Sequence, residues 1–189
     1  MFKTKFGLPE KIIFCNRCVI SNQRPITALE TNHKINNKKK TTKINNDGTC
    51  DACKWSDYKK KNVDWDAKEK ELLELLDKHR SKNGEYDVVV PASGGKDSSY
   101  VAHILKEKYG MNPLTVTWAP HIYTEIGKKN LNSMIDEGFD NILITPNGKI
   151  HRLLTKLAFL NLGHPFQPFI IGQRLVGPRV AIEKNIKLV

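Results

Sequence analysis

From residue 86 onward, short runs of consecutive apolar residues alternate with longer stretches whose apolar positions recur every three or four residues. Asp87-Val-Val-Val-Pro-Ala92, Pro113-Leu-Thr-Val-Thr-Trp118 and Asn141-Ile-Leu-Ile-Thr145 read as buried strands, and Ile186-Lys-Leu-Val189 begins a fourth. Between them, residues 98–109, 124–137 and 151–162 read as helices that stop at Gly110, Gly138 and Gly163, and 178–184 as a further helix. Ahead of this region, 63–82 forms a helix capped by Asp64 or Asp66. Leu72, Leu73, Leu75, Leu76 and the stem of Lys78 give it an apolar stripe, and Asn83-Gly84 ends it. Strands that are apolar almost throughout, alternating with helices, predict an α/β fold: a parallel, doubly wound sheet covered on both faces.

The first 61 residues lack this periodicity. They hold all four cysteines and 14 Lys+Arg against 5 Asp+Glu, whereas residues 62–189 are nearly balanced at 17 against 15. The net charge of +11 therefore belongs to the front of the chain. Much of it sits in a Lys/Asn-rich stretch, 32–46, which is expected to be a solvated loop that builds no core. Nucleic-acid binders interleave aromatics with such charge, and this stretch has none, so a nucleic-acid partner is not expected. The expected organisation is a four-cysteine module with a Lys/Asn-rich insertion over 1–61, a connecting helix over 62–83 and a nucleotide-binding α/β domain over 84–189.

No apolar run reaches the roughly 18 residues of a membrane span. The N-terminus also lacks the apolar core of a signal peptide, so a cytoplasmic location is expected. Cysteines in that reducing setting favour metal over disulfides. Cys15-Asn-Arg-Cys18 and Cys50-Asp-Ala-Cys53 are two matched CxxC pairs, each able to grip one ion from a tight turn. Cys15, Cys18, Cys50 and Cys53 are thus expected to bind a structural Zn²⁺ in a zinc-ribbon-like module, with no ligand position open for catalysis; an iron–sulfur cluster uses the same donors. The 31 residues between the pairs exceed the usual spacing of about 15–20, which the Lys/Asn insertion explains.

A second motif, Ser93-Gly94-Gly95-Lys96-Asp97-Ser98-Ser99, follows a strand and opens a helix, where parallel sheets bind phosphate. Gly94 and Gly95 are expected to adopt positive φ and let the backbone approach a ligand. Ser93, Ser98 and Ser99 add hydroxyl donors and Lys96 a point charge, while Asp97 beside phosphate implies Mg²⁺. The loop is not a Walker A motif, because Val90 stands where the first glycine belongs and Asp97 where Ser or Thr belongs.

The Ser-Gly-Gly-x-Asp-Ser pattern resembles the pyrophosphate loop of the N-type ATP pyrophosphatases, which have an adenine nucleotide alpha hydrolase-like sheet. A narrower set of motifs is similar to the bacterial N-acetyl sugar amidotransferases of surface-polysaccharide synthesis. It comprises Cys-x-Arg-Cys-Val, Asp-Gly-x-Cys-x-x-Cys, residues 93–100, Thr117-Trp-Ala-Pro-His121, Tyr123-Thr-Glu-Ile-Gly127 and Thr145-Pro-Asn-Gly148. The resemblance runs from Cys15 to the last residue, with a longer link at 28–46 than that family has. It implies that the chain stops where the family continues, and so is C-terminally incomplete. It also implies ATP, Mg²⁺ and an N-acetyl sugar as ligands, and a glutaminase–cyclase pair as the ammonia source. Asp97 and Lys96 would then be the catalytic groups, on Mg²⁺ and on non-bridging oxygens, with Thr117 and Trp118 meeting adenine. A tRNA-modifying ATP pyrophosphatase and a non-catalytic zinc and nucleotide-binding fragment are the alternatives.

Other polar groups carry less. His121 and Glu125 lie beyond a strand end, where substrate contact and plain loop polarity are equally expected. His151 and His164 read as surface or cap residues, and Phe166, Phe169, Ile170 and Ile171 near Gln173 as packing.

Overall fold

The structure, a computed structural model, describes residues 7–26 and 40–189. Residues 32–39 of the expected Lys/Asn loop lie outside the described residues. The chain divides into two compact units, Met1–Asp66 and Ala67–Val189.

The first unit is organised by turns. Antiparallel bridges join Phe14 to Ser21, Pro25 to Thr41 and Ile44 to Cys50, with no longer ladder among the described residues. A helix absent from the sequence expectation follows: α1, Asp51–Asn62, begins inside the second cysteine pair, where the Cys50 side chain accepts from the Cys53 N–H. None of its residues is buried, so no apolar stripe announces it.

The second unit is an α/β layer structure. Helix α2, Trp65–His79, leads into β1, Val88–Pro91, and then α3, Lys96–His103. A π-helical turn, Ile104–Lys108, extends α3 to Tyr109, and Gly110, at φ 61°, lets the chain reverse. Strand β2, Pro113–Trp118, α4, Glu125–Asp136, β3, Asn141–Ile144, α5, Gly148–Leu162, and α6, Gln167–Glu183, complete the order.

The three strands pair in parallel in the order β1-β2-β3, with Val90 opposite Thr115 and Thr117 opposite Leu143. The expected fourth strand is reduced to one parallel bridge, in which Val89 N–H donates to Leu188 O at 2.9 Å, on the edge of β1 away from β2. Apolar side chains cover both faces. Leu76 of α2, Ala102 of α3 and Leu131 and Met134 of α4 close over Val88, Val90 and Ala92. Val176, Val180 and Ala181 of α6 close over Val89, Leu114 and Val116.

Polar groups lock the ends of this core. The buried Asp87 carboxylate accepts from Asn112 N–H at 2.8 Å and Ser81 N–H at 3.1 Å, fixing the entry to β1. Arg80 donates to the carbonyls of Tyr109 and Gly110, satisfying the exposed end of the π turn. On β3, at the opposite edge of the sheet, the Asn141 amide donates to both Thr115 and Thr117 hydroxyls at 2.9 Å.

Helix α6 starts eleven residues before the Pro178 expected to open it. Its glycines are contact points. A Cβ at Gly172 would lie 2.3 Å from the Trp118 ring, and one at Gly177 2.6 Å from Pro91. Both let the helix lie close against the carboxyl ends of β1 and β2.

Gly94 is held by the same logic on the opposite face. Its φ is 76°, and a Cβ there would meet the α4 backbone at Leu131 N, 2.5 Å away. Gly95 has φ −72°, not the positive φ expected, and its Cβ would meet only Ser93 Oγ, at 3.7 Å. Gly94→Ala should therefore destabilise the second unit by about 3 kcal/mol, from backbone strain plus overpacking. Gly95→Ala, at an N-cap with room for a Cβ, should cost no more than about 1 kcal/mol. Urea unfolding of the two variants measures the contrast, and equal midpoints would refute it.

Candidate functional site

Two groups of residues carry chemistry, one in each unit. In the first unit, the turn at 15–18 and the turn at 47–50 are bonded to each other through Asn16 N–H to Gly48 O at 3.0 Å. They bring all four sulfurs within 4.8 Å of one another. The Cys15–Cys53 and Cys18–Cys50 sulfurs lie 3.9 and 3.5 Å apart. A tetrahedral ion with bonds of about 2.3 Å requires edges of about 3.8 Å, so the four thiols can hold a single zinc ion. A multi-iron cluster places its own irons and sulfides between the thiolates and needs a wider cage.

Backbone N–H groups already point at the sulfurs: Arg17 and Cys50 donate to Cys15 Sγ at 3.4 and 3.3 Å, and Cys53 donates to Cys50 Sγ at 3.4 Å. Such bonds favour thiolate, and those from Cys18 and Arg17 lead in bringing the Cys15 thiol down to about 6. The neighbouring Cys18 thiol and then burial push Cys53 up to about 12. Arg17 reaches across to Asp57 on α1 at 2.5 Å and holds that carboxyl below its usual range. The arrangement is compatible with a zinc-ribbon-like module.

In the second unit, the loop at 93–99 lies where it was expected, at the carboxyl end of β1 and the start of α3. Ala92 N–H still pairs with Val116 O at 2.8 Å, and beyond it the strand partners end. Gly95 is the N-cap of α3 and supplies no side-chain cap, whereas Thr124 and Asn147 cap α4 and α5. The first N–H groups of α3 are left open to an anion. Ser98 Oγ donates back to Gly95 O at 3.1 Å, and Lys96 and Asp97, almost fully exposed, pair with each other at 2.7 Å.

This loop forms one wall of a cavity of about 400 Å³ lined by Ser93, Gly95, Lys96, Asp97 and Ser98, with Trp118 and Gln173 among the residues opposite. Ser99 and Gly94 face a different groove, toward Asn130 and Ser133 of α4. Thr117 and Trp118, expected together at adenine, are separated by the alternation of the strand. Thr117 is 1% exposed, and its hydroxyl donates to Ala92 O at 2.7 Å, tying β2 to β1 inside the sheet. Trp118 alone lines the cavity.

His151, read from the sequence as a surface or cap residue, is buried. The His121 and His151 rings are tilted by 42° with centroids 4.4 Å apart, Phe169 lies 5.4 Å from His121, and Trp118 lies 6.4 Å from His151. His151 is 7% exposed; burial, and then His121, hold its imidazole below the ordinary range. These residues come from the β2–α4 loop, α5 and α6, so no sequence spacing could have paired them. Glu125 begins α4 and is exposed.

No protein-family model matches the chain. An uncharacterized protein of Methanocaldococcus jannaschii is 43% identical over 47 residues, which are 25% of this chain and 17% of that protein. The chain thus spans about a sixth of that relative's length. Among the described residues, no helix is long and apolar enough to cross a membrane.

The metal site generates a direct test. Purified protein should contain one zinc per chain by elemental analysis, with no visible iron–sulfur absorption. Because α1 buries nothing, Cys15→Ser or Cys53→Ser should remove the metal and the exchange protection of residues 40–62, while 88–183 stay protected. A metal-free protein with an intact α1 would refute the assignment.

Proposed function

We propose that this chain carries the nucleotide-binding part of an ATP-dependent, AMP-forming amidotransferase acting on an N-acetyl sugar. The observation that carries the reading is the Ser93–Ser98 loop. It combines an uncapped helix N-terminus, an exposed Lys96–Asp97 pair and a cavity at the carboxyl edge of a parallel sheet. The single bridge to Leu188, on the far edge of β1 from β2, supports a doubly wound sheet whose strand order turns at β1, the usual place for a nucleotide. The motifs at 93–100, 117–121, 123–127 and 145–148 support the narrower family reading.

Amides resist ammonia because their oxygen is a poor leaving group. In the proposed reaction the acetamido oxygen attacks the α-phosphorus of ATP, the bond to the β-phosphate oxygen breaks, and pyrophosphate leaves. Ammonia then adds to the imidate carbon, the original oxygen departs with AMP, and an acetamidino group remains. The first N–H groups of α3 and the Ser93 and Ser98 hydroxyls would hold the departing pyrophosphate. Lys96 would neutralise non-bridging oxygens once drawn from Asp97, and Asp97 would hold Mg²⁺, which adds charge neutralisation at the phosphates. Ammonia would be supplied by a separate glutaminase–cyclase pair.

The test is Mg·ATP binding by calorimetry. Asp97→Ala removes a metal contact, and Gly95→Val places a branched side chain in the cavity at a backbone conformation that tolerates it. Both should weaken binding at least tenfold without lowering the melting temperature. Wild-type affinity in both variants would overturn the reading.

A further inference from the structure

Within β1, β2 and β3, only Thr115, Thr117 and Asn141 carry a hydroxyl or an amide in the side chain. The two threonines are 0% and 1% exposed, and Asn141 is half-buried. Alternation along β2 turns both threonines to the face opposite Leu114 and Val116, which pack with α6. The bonds among the three have one possible direction. Carbonyls only accept, so the Thr117 hydroxyl donates to Ala92 O at 2.7 Å and the Thr115 hydroxyl to Asp140 O at 2.6 Å. Each hydroxyl then has only lone pairs left, and the Asn141 amide donates to both. A hydrogen-bonded path thus runs from the edge strand β3, across β2, to the residue just before the Ser93–Ser98 loop.

The two ends of this path hold different things. At Asp140 the backbone already closes the ladder, because Thr115 N–H also donates to Asp140 O, at 3.0 Å. At Ala92 the bond from its N–H to Val116 O is the last between the β1 and β2 backbones, and the Ala92 carbonyl takes its bond from the Thr117 side chain instead. The peptide that follows is planar and trans, so a C=O aimed at Thr117 aims the Ser93 N–H the opposite way. Fixing Ala92 O therefore fixes the plane from which Ser93, and then Gly94 at φ 76°, turn toward α3. Ser93 lines the 400 Å³ cavity, whereas Thr117 is not among its lining residues. A valine at 117 would suit a buried strand equally well, so packing does not call for the hydroxyl.

We propose that Thr117, oriented by Asn141, is a positioning residue for the nucleotide loop, and that it acts by locking the Ala92–Ser93 peptide rather than by touching the nucleotide. The proposal rests on the nucleotide reading above and deepens it. A loop with two adjacent glycines samples many orientations of its N–H groups, and affinity falls with the fraction of time spent in the binding-competent one. The path through Thr117 ties the first peptide of that loop to two strands of the sheet. Thr117 thereby contributes to phosphate binding from inside the core, and Trp118 is left as the residue of β2 that lines the cavity.

The test is Mg·ATP binding to the full chain by calorimetry, with hydrogen–deuterium exchange of the ligand-free protein as a second readout. Thr117→Val keeps the shape of the side chain and removes the hydroxyl. It should weaken binding about tenfold or more and speed exchange in residues 93–99. Thr117→Ser keeps the hydroxyl and should bind within about threefold of wild type, although it loses a core methyl group. Thr115→Val is the matched control: it also deletes a hydroxyl bonded to Asn141 and to a carbonyl, but one with no bond to Ala92. It should lower the melting temperature comparably and leave both affinity and exchange in 93–99 unchanged. Asn141→Asp serves if Thr117→Val fails to fold. Its carboxylate only accepts, so it draws the Thr117 proton away from Ala92 O and should weaken binding about threefold or more. Wild-type affinity in Thr117→Val or Asn141→Asp, equal losses in Thr117→Val and Thr115→Val, or Thr117→Ser binding as poorly as Thr117→Val would overturn the positioning role. A wild-type chain that does not bind Mg·ATP would instead overturn the nucleotide reading, and the ligand-free exchange comparison would still decide whether Thr117 holds the loop.

Discussion

A parallel strand cannot be joined to its neighbour by a hairpin, so each connection must cross a face of the sheet and cover it. Val88, Val89 and Val90 of β1 are all buried, two toward the layer of α2, α3 and α4 and one toward α6. That requirement places every strand's carboxyl end on one side of the sheet. Backbone groups that have run out of ladder partners collect there, beside the start of the next helix. The loop at 93–99, the ring of Trp118 and the turn into α5 at Asn147 are all consequences of this one constraint.

Close approach refines the arrangement. Gly94 lets the first loop lie on the α4 backbone, and Gly172 and Gly177 let α6 lie on Trp118 and Pro91. Gly172 and Gly177 thereby set α6, through Gln173 and Val176, as a wall of the cavity beside the Ser93–Ser98 loop. Gly95, free of such contacts, lines the cavity. The four-cysteine module follows a different principle. Among its described residues only Cys15, Asn22 and Cys50 are buried, and its order derives from four sulfurs spaced for one ion and from the amides that point at them.

What the sequence revealed follows the same division. Continuous apolar runs marked β1, β2 and β3, and Gly110, Gly138 and Gly163 marked the ends of α3 with its π turn, α4 and α5, because burial and left-handed turns act locally. The two CxxC pairs and the Ser-Gly-Gly-x-Asp-Ser loop were legible for the same reason. Helix α1 was not, since a metal cage needs no apolar stripe. Most of α6 was not, since glycines that serve contact look identical to glycines that serve turns. Thr117 and Trp118 look equivalent in a row of residues and face opposite sides of a strand. The cluster of His121, His151 and Phe169 exists only in three dimensions, and no spacing encodes it.

The central claim is that phosphate binds at the carboxyl end of β1. Hydrogen–deuterium exchange with and without saturating Mg·ATP tests it most directly, because the amides concerned are the ones left unpaired at the start of α3. The account predicts slowed exchange concentrated in residues 93–99, with residues 40–62 unchanged. Protection that leaves 93–99 untouched, or that appears in the cysteine module instead, would contradict it.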